Sequence, residues 1–481
     1  MENSMSWDQI VTASPADHEC HLAVSGSIPS ALFGGAYFLN GPGKLAEHGI
    51  RLHPFDGHGL LRRLTFGPDG ISFKSRFVET ESFKYESKKG KVCYRGIGGL
   101  PYESKFKNWR AREHKNPANT CVRPWQGNIL CGYEGGWPHR MSSEHLETEG
   151  LENFGGALPK GINFLAHTRY DAKTGELFGV SFKPGKHSQY VVHGFAPDGT
   201  STLRQEWTQF GMTIIHDFLI TDHFVIIIEN PIIPKIPVLI KSFAGLASVM
   251  EALLQQDRPA RLFLFPRSGG EPRIIELDQS YVGFHHAASS ETLDDTGTPV
   301  SLTLYSCLFE SYIDFGREFG YQGHDKPYAD GFSAEQPPQL LKRIDVDLNR
   351  GVASVDTISE WALDFPMIHP EGDGRGCSHI YGVASSPVGS FNPFDTLLRV
   401  DVASSESMSW KSDLGYLGEP CFIPNGETEE SGVLLVMAYQ TSQTQLLIFE
   451  AESFDQGPIA SAALPEPYPY GFHGTFISSS M

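Results

Sequence analysis

The chain has 481 residues, of which 40% are hydrophobic and 12% aromatic, enough for a sizeable globular core. A chain of this length can hold several average domains, although large all-β folds also reach it as one domain. The net charge of −19 repels the phosphates of nucleic acid and of anionic lipid alike, so we expect no nucleic-acid partner.

The seven cysteines are scattered and form no CxxC pair, so the sequence predicts neither a structural zinc site nor a disulfide framework. The first 20 residues lack the basic and apolar regions of a secretory signal, and no apolar run has membrane-spanning length. We therefore expect a reduced, cytoplasmic protein.

Residues 1–30 are polar and are predicted to form an N-terminal arm that lies across the fold. From residue 36 onward strand-turn-strand units recur, with Pro, Asp or Gly at the reversals. The predicted hairpins pair residues 60–66 with 71–78, 166–170 with 177–182, 191–195 with 202–207, 261–266 with 271–277, 340–348 with 351–358, 396–402 with 408–414, and 433–439 with 445–450. Hairpins along the whole chain predict an all-β fold, with a propeller as the first choice and a large β-sandwich as the second.

The segment 211–230, GMTIIHDFLITDHFVIIIEN, contains one long apolar run. Its residues 219–228 are rich in Ile, Val and Phe and predict a buried strand that ends at Asn230-Pro231. His216 and Asp217 precede this strand, where a rigid sheet can aim a side chain inward. A lone histidine there is more often a core residue than a ligand, so the other histidines decide its meaning.

The next segment, 231–256, is strongly apolar and interrupts the hairpin pattern. Prolines come early, and a helical stripe predicts a short helix over residues 242–255. The helix either caps the sheet or forms an apolar entrance that takes lipophilic substrate from a membrane surface, with peripheral membrane contact.

Four of the 19 histidines stand at strand-like positions: His167, His216, His285 and His473. Structural zinc ligands come in short local pairs, whereas these are spread along the chain, which fits a metal on the axis of a radial fold. An all-imidazole site suits iron, copper, zinc or nickel. His285 and His286 are adjacent, and adjacent residues of a strand face opposite ways, so only one of them can be a ligand.

Sequence motifs in this order resemble the carotenoid cleavage oxygenase family from about residue 37 to 476. They include LNGPGK (39–44), HPFDGHGLL (53–61), LCGYEGGWP (130–138), AHTRYDAKTGEL, IIHDFLIT, FHH, GEPCFIP and PYGFHGTF. Each motif alone is weak, but four histidine motifs in the family's order form a specific match. The resemblance implies one domain over 1–481, a seven-bladed β-propeller with a dome of helices and loops over a central metal.

The resemblance further implies iron(II) held by His167, His216, His285 and His473, with no carboxylate on the metal. Outer carboxylates at Glu134, Asp364 and Glu419 would orient three of the imidazoles. Thr120 matches a threonine whose methyl group restricts access to the sixth iron position.

This sequence departs from the family pattern at several positions. Leu39 stands where an Arg is usual, Thr168 where a Pro follows the first ligand, and Ala288 where an Asn is common. Asp364 is one methylene shorter than the usual Glu, which predicts a looser hold on its histidine. None of these changes removes a ligand.

The activity implied by the resemblance is reaction of dioxygen with a conjugated alkene at the iron, giving two carbonyl products. Members that cleave phenolic alkenes use a tyrosine and a lysine to ionise the phenol; the matching positions here are Tyr94 and Tyr133. Because Tyr133 lacks the lysine's charge, an apocarotenoid or carotenoid substrate is favoured over a stilbene or phenylpropanoid. An isomerohydrolase and a non-catalytic binding propeller are further alternatives, and the oligomeric state stays open.

Overall fold

The computed structural model describes residues 5–47, 49–112, 114–211, 213–312, 315–332 and 336–479. Within these residues antiparallel sheets form the seven blades of a β-propeller, and one seven-stranded sheet makes two blades that share the strand Val352–Met367. The all-β propeller predicted from the hairpin pattern is therefore confirmed.

The seven blades follow one another along the chain, except that blade 1 takes its axial strand from the end of the chain and blade 7 takes its outermost strand from the beginning. From the axis outward, blade 1 holds Gly474–Ile477, Ala36–Leu39, His58–Gly67, Gly70–Phe77 and His18–Leu22; blade 2 holds Cys121–Trp125, Asn128–Gly132, His139–Ser142 and Thr148–Leu151; blade 3 holds Asn163–Phe164 with Arg169–Tyr170, then Leu177–Lys183, His187–Phe195 and Ser201–Phe210; blade 4 holds Leu219–Ile220, Phe224–Glu229, Arg261–Pro266 and Arg273–Glu276. Blade 5 holds Val282–Leu293, Pro299–Phe309, Leu340–Asp347 and the start of Val352–Met367; blade 6 holds the end of Val352–Met367, His379–Ala384, Thr396–Asp401 and Ser407–Lys411; blade 7 holds Tyr416–Leu417 with Cys421–Pro424, then Gly432–Tyr439, Thr444–Glu450, Ala460–Ala463 and Val24–Gly26.

Helical segments are short and connect or cover the blades. The α-helices are Trp7–Val11, Glu81–Lys89, Lys105–Arg110 and Ile236–Phe243. The 3-10 helices are Ser30–Leu32, Pro54–Asp56, Phe154–Gly156, Met250–Ala252, Glu318–Gly320, Pro370–Gly372 and Ala451–Gln456, and the short strands outside the main ladders are Pro42–Gly43, Ala46–Glu47, Ile50–Arg51, Ile232–Pro234 and Leu253–Gln255. Within the described residues no helix combines the length and the apolarity that crossing a membrane requires.

The cores lie between neighbouring blades. Between blades 4 and 5, for example, Leu219, Ile226, Leu262, Leu302 and Leu304 are buried in one cluster. Full burial of such an aliphatic side chain contributes about 1.5–3 kcal/mol each, so the blade-to-blade faces hold the ring together.

Residues 5–30 join both ends of the ring, as an arm across the fold would. Strand His18–Leu22 pairs with the outer strand of blade 1, and Val24–Gly26 pairs with blade 7. The helix Trp7–Val11 is anchored by the Trp7 indole, which donates a hydrogen bond to the Phe319 carbonyl (2.7 Å).

The single strand predicted over 219–228 is two strands in the structure. Leu219–Ile220 and Phe224–Glu229 pair antiparallel, and Thr221 closes the turn between them because its hydroxyl accepts a hydrogen bond from the Phe224 amide (3.0 Å). The single strand was predicted from the high apolar content of the segment. The three polar residues in its middle, 221–223, are the turn signal that separates the two strands.

The helix predicted over 242–255 is also misplaced. The helix is Ile236–Phe243, and the chain continues as the 3-10 turn Met250–Ala252 and the strand Leu253–Gln255, which pairs with Ile232–Pro234. A proline in the first turn favours this earlier start, and Gly245 at φ +69° ends it, as helix-stop glycines do.

Candidate metal centre

The structure brings four histidines together at the axis: His167, His216, His285 and His473. Each offers a ring nitrogen, and the four atoms lie within 4.8 Å of one another. The imidazoles come from four different blades. His167 belongs to blade 3, His216 precedes the axial strand of blade 4, His285 lies in that of blade 5, and His473 precedes that of blade 1.

Breaks in the axial strands turn these side chains inward. The axial strand of blade 3 is interrupted between Asn163–Phe164 and Arg169–Tyr170, and His167 lies in the gap. In blade 7 a similar gap between Tyr416–Leu417 and Cys421–Pro424 contains Glu419. The hairpin predicted to pair residues 166–170 with 177–182 is thus present, but only Arg169 and Tyr170 of its first predicted strand pair with the second. Residues 166–168 lie in the gap and form no strand pairing there.

The histidine cluster fits a bound metal. The Nε2 atoms of His167 and His285 are buried and have no hydrogen-bond partner among the described residues, which is costly unless something else satisfies them. Burial and the three neighbouring imidazoles hold the pKa of His167 well below its usual value, so its ring is neutral, the state a metal ligand requires. The donor set is four nitrogens, as divalent iron, cobalt or copper accept.

Three carboxylates contact the cluster from outside, as the sequence predicted by position. His285 Nδ1 lies 2.6 Å from Asp364 Oδ1, and His473 Nδ1 lies 2.8 Å from Glu419 Oε1. Glu134 Oε1 lies 2.8 Å from His216 Nδ1. A carboxylate on Nδ1 fixes the tautomer and leaves Nε2 for a metal.

The looser contact predicted for the shorter Asp364 is not observed. Burial raises the pKa of Asp364, but His285 outweighs burial and keeps that pKa below its usual value. The pairing with blade 6 shifts register between Asp364 and Met367, and Phe365 adopts φ +51°. At this local bulge the backbone of Asp364 lies close enough to His285 for the shorter aspartate side chain to contact the imidazole. The residue type at position 364 does not by itself reveal this backbone geometry.

His286, the neighbour of a ligand, turns away from the cluster as the strand alternation requires. Its Nδ1 lies 3.1 Å from the Ser306 hydroxyl inside blade 5. Burial lowers its pKa to about 4, so it is a neutral core histidine.

A cavity of about 1340 Å³ opens onto three of the four histidines, His216, His285 and His473. Much of its wall is aromatic; among its lining residues are Phe55, Phe284, Phe309, Phe319, Phe365 and Phe391. The cavity is large enough for an extended apolar molecule, since small-molecule sites usually measure about 300–1,000 Å³.

Of the three residues predicted to face the substrate, two line this cavity. Thr120 does so, and its hydroxyl donates a hydrogen bond to Asn119 Oδ1 (3.2 Å). Tyr133 is 2% exposed, and within the described part of the chain its hydroxyl has no hydrogen-bond partner. Tyr94 is not among the lining residues; its hydroxyl accepts a hydrogen bond from Arg112 (3.2 Å), so the structure does not bring it to the cavity.

The helix Ile236–Phe243 stands at the cavity mouth. Ile236 and Phe243 line the cavity and yet are 59% and 65% exposed. The helix Lys105–Arg110 adds the exposed Phe106 and Trp109, which sequence reasoning missed. Their spacing of three along a short helix was the available signal. Gly245 allows the two helices to approach, because a Cβ there would lie 2.7 Å from the backbone of Asn108.

Comparison with known proteins gives a consistent result. The family model described as retinal pigment epithelial membrane protein matches residues 11–478. The chain is 33% identical to the apocarotenoid-15,15'-oxygenase of Synechocystis sp., over 95% of this chain and 92% of that protein. It is 28% identical to the carotenoid cleavage dioxygenase 7 of Oryza sativa subsp. japonica, over 93% and 86% of the two chains.

Solved structures agree with the fold. A Synechocystis apocarotenoid oxygenase variant superposes with a TM-score of 0.89 at 28% identity, covering 99% of this chain and all of that one. A cobalt-substituted form of the Synechocystis enzyme gives 0.88 at 29% identity, with 98% of each chain covered. Four imidazoles on the axis of a seven-bladed propeller, three of them in contact with outer carboxylates, together with these matches, establish that the chain belongs to the carotenoid cleavage oxygenase family and is an oxidoreductase of the dioxygenase type.

Proposed function

We propose that the protein is a non-haem iron(II) dioxygenase that cleaves a carbon–carbon double bond of an apocarotenoid or carotenoid. The observation that carries this proposal is that His216, His285 and His473 line a mainly apolar cavity of about 1340 Å³ whose wall includes many phenylalanines. Both atoms of dioxygen enter the two carbonyl products, so the cleavage needs no further reductant.

Iron is proposed over other imidazole-binding metals because the similar proteins are named oxygenases and dioxygenases. His167, His216, His285 and His473 would hold the iron, which supplies the one-electron chemistry that dioxygen requires. The four histidines leave no carboxylate on the metal, and Glu134, Asp364 and Glu419 keep the rings in place.

The remaining work of this chain is to position the alkene. A polyene offers little for a polar side chain to hold, so the aromatic wall must align one double bond with the metal by shape. Thr120 contributes to this wall, and its hydroxyl donates its proton to Asn119 Oδ1.

The decisive experiment is product analysis with iron(II) and ¹⁸O₂, using one apocarotenal and one hydroxystilbene. We expect two labelled carbonyl products from the apocarotenal and none in His473→Ala. Activity of an iron-free His473→Ala protein would refute the metal assignment.

A phenolic alkene is the second candidate, and one observation favours it: the buried hydroxyl of Tyr133, which lines the cavity, forms no hydrogen bond to any residue that the structure describes. Burial raises the pKa of Tyr133 well above its usual value, so the hydroxyl stays protonated and can donate to a substrate oxygen. Cleavage of the hydroxystilbene alone would establish this candidate in place of the first.

The apolar patch at the cavity mouth is proposed to contact a membrane, from which a lipophilic substrate would enter. We define this patch by its exposed residues Phe106, Trp109, Ile236, Ile240, Phe243 and Leu246. Although the net charge of the chain is −19, the sequences KFKNWR and KIPVLIK at the patch carry five cations and no acid. Apolar and aromatic side chains beside lysines and arginines are typical of interfacial helices.

Vesicle co-sedimentation tests the membrane contact. Ile240→Asp should reduce binding to vesicles at least fivefold, whereas Ile274→Asp, at a 50% exposed isoleucine on the outer strand of blade 4, should not. Equal binding by wild type and both variants would refute a role for the patch.

A further inference from the structure

A buried ion pair, Arg169 with Asp217, lies directly beside the histidine cluster. Arg169 follows the ligand His167 by two residues, and Asp217 follows the ligand His216 by one. The guanidinium and the carboxylate meet at 2.5 Å (Nη2 to Oδ2) and 3.2 Å (Nε to Oδ1). The pair therefore joins blade 3 to blade 4 at positions no more than two residues from His167 in blade 3 and from His216 in blade 4.

The same pair reaches the third ligand strand. Asp217 Oδ2 accepts a hydrogen bond from the His286 amide (3.1 Å), and the Arg169 guanidinium donates to the His286 carbonyl (2.8 Å). His286 directly follows the ligand His285. Two side chains thus hold the backbones of three ligand-bearing strands, each one or two residues beyond its histidine.

Both side chains are fully committed to this arrangement. The Asp217 carboxylate, 3% exposed, also accepts from the Phe218 amide (2.8 Å), and Arg169 also donates to the Phe218 carbonyl (2.7 Å). Asp217 therefore has two donors on each oxygen and cannot turn to a metal, although it is the nearest carboxylate to His216 in sequence. These six hydrogen bonds, with a further contact of Arg169 Nη1 to Asp373 Oδ2 (3.5 Å), allow little freedom in the separation of the strands.

We propose that Arg169 and Asp217 are positioning residues that set the separation of His167, His216 and His285 and thereby the affinity and geometry of the metal site. This role depends on the histidine cluster and not on the identity of the substrate. The pair can therefore prove unimportant for metal binding while the proposed activity stands, and the proposed activity can be absent while the pair still sets metal affinity. The competing explanation is that the pair merely stabilises the packing of blades 3, 4 and 5.

The molecule offers a matched control for that explanation. Asp171, on blade 3, accepts from Arg267 of blade 4 (2.9 Å) and from Arg375 (2.8 Å), and its side chain is 2% exposed. The partner arginines are equally shielded, 14% for Arg169 and 13% for Arg267. The Asp171 pair is thus as buried and also joins blades 3 and 4, but it touches no residue next to a histidine of the cluster.

The experiment compares Asp217→Asn with Asp171→Asn. Asparagine keeps the volume, but whichever way its amide turns, the NH₂ group faces a donor of Arg169 together with a backbone amide, that of His286 or that of Phe218. We measure thermal unfolding of the metal-free proteins, the Co²⁺ dissociation constant, and the visible spectrum of the Co²⁺ form.

We expect both variants to lose stability, but only Asp217→Asn to bind Co²⁺ at least tenfold more weakly, with shifted visible bands. Wild-type Co²⁺ affinity and spectrum in Asp217→Asn, or equal weakening in Asp171→Asn, would overturn the proposal. Should Asp217→Asn fail to fold, Arg169→Lys decides the question: it keeps the charge but cannot span Asp217 and His286 together, so the same loss of affinity is expected and a wild-type site refutes the proposal.

Discussion

Replacing Glu419 by glutamine should weaken metal binding more than the same replacement at Glu134. The Glu419 carboxylate accepts two hydrogen bonds, from His473 Nδ1 (2.8 Å) and from the Gly474 amide (2.6 Å), and it is 8% exposed. Glutamine has one oxygen and one NH₂ group at these two places. Whichever way it turns, one donor faces another donor.

The size of the effect follows from that conflict. Loss of one hydrogen bond to a charged, buried acceptor costs about 1.5–3 kcal/mol. At about 1.4 kcal/mol per factor of ten, the metal dissociation constant should rise about 10- to 150-fold if the cost falls on His473. The short contact of Glu134 in the site is with His216 Nδ1 (2.8 Å), and the Glu134 side chain is 23% exposed. The glutamine oxygen can replace it, so we expect less than about a fivefold change at Glu134.

The assay is anaerobic competition for iron(II) between the metal-free protein and a coloured chelator, for wild type, Glu419→Gln and Glu134→Gln. The Co²⁺ spectrum of each variant shows whether the ligand geometry changes as well. The reasoning is refuted if Glu419→Gln binds within twofold of wild type, or if Glu134→Gln is the weaker binder of the two.

Two further predictions concern the site and the core. Asp364→Glu should bind metal at least fivefold more weakly, although glutamate is the residue usual in the family. The 2.6 Å contact between Asp364 and His285 leaves no room for the added methylene. Chelator competition measures the metal affinity, and a wild-type value would show that the bulge at this strand relaxes to admit the longer side chain. Burial lowers the pKa of His193 to about 4 in the folded protein. The folded state therefore binds fewer protons than the unfolded chain, in which a histidine titrates near pH 6.5. The contribution of His193 to the free energy of unfolding is intact above pH 6.5 and is lost as the pH falls toward 4. At pH 5 the free energy of unfolding is lower by about 2 kcal/mol on account of His193. Urea unfolding of the metal-free protein at pH 7 and pH 5 should therefore show a smaller pH dependence of stability in His193→Gln than in wild type.

The parts of the fold that follow from local chemistry were predictable from the sequence. The hairpin of His58–Gly67 with Gly70–Phe77 reverses at Gly67-Pro68-Asp69-Gly70, and only a few residue types satisfy such a turn. The four histidines could be chosen among 19 because their motifs resemble a known family in order and context.

Other features depend on partners distant in sequence and could not be read from local patterns. The apolar stripe after Gly245 resembles a helix, but residues 253–255 pair with 232–234 instead, because backbone pairing with a neighbour outweighs helical propensity. Tyr94 matches a substrate-binding position by alignment, yet Arg112 holds its hydroxyl away from the cavity. The reach of Asp364 depends on the backbone angle of Phe365, which no residue type fixes.

The pairing of Gly474–Ile477 with Ala36–Leu39 closes the ring across six intervening blades, and His473 immediately precedes this seam. A metal that binds His473 together with the histidines of blades 3, 4 and 5 therefore connects the closing strand of blade 1 directly to those three blades. Because only the closed ring presents all four nitrogens, metal at 100 times its dissociation constant favours closure by about 2.7 kcal/mol. The lifetime of the metal-free protein is then set by how often blade 1 opens. Chelation should expose the amides of Gly474–Ile477 to hydrogen exchange before those of blades 3 to 5.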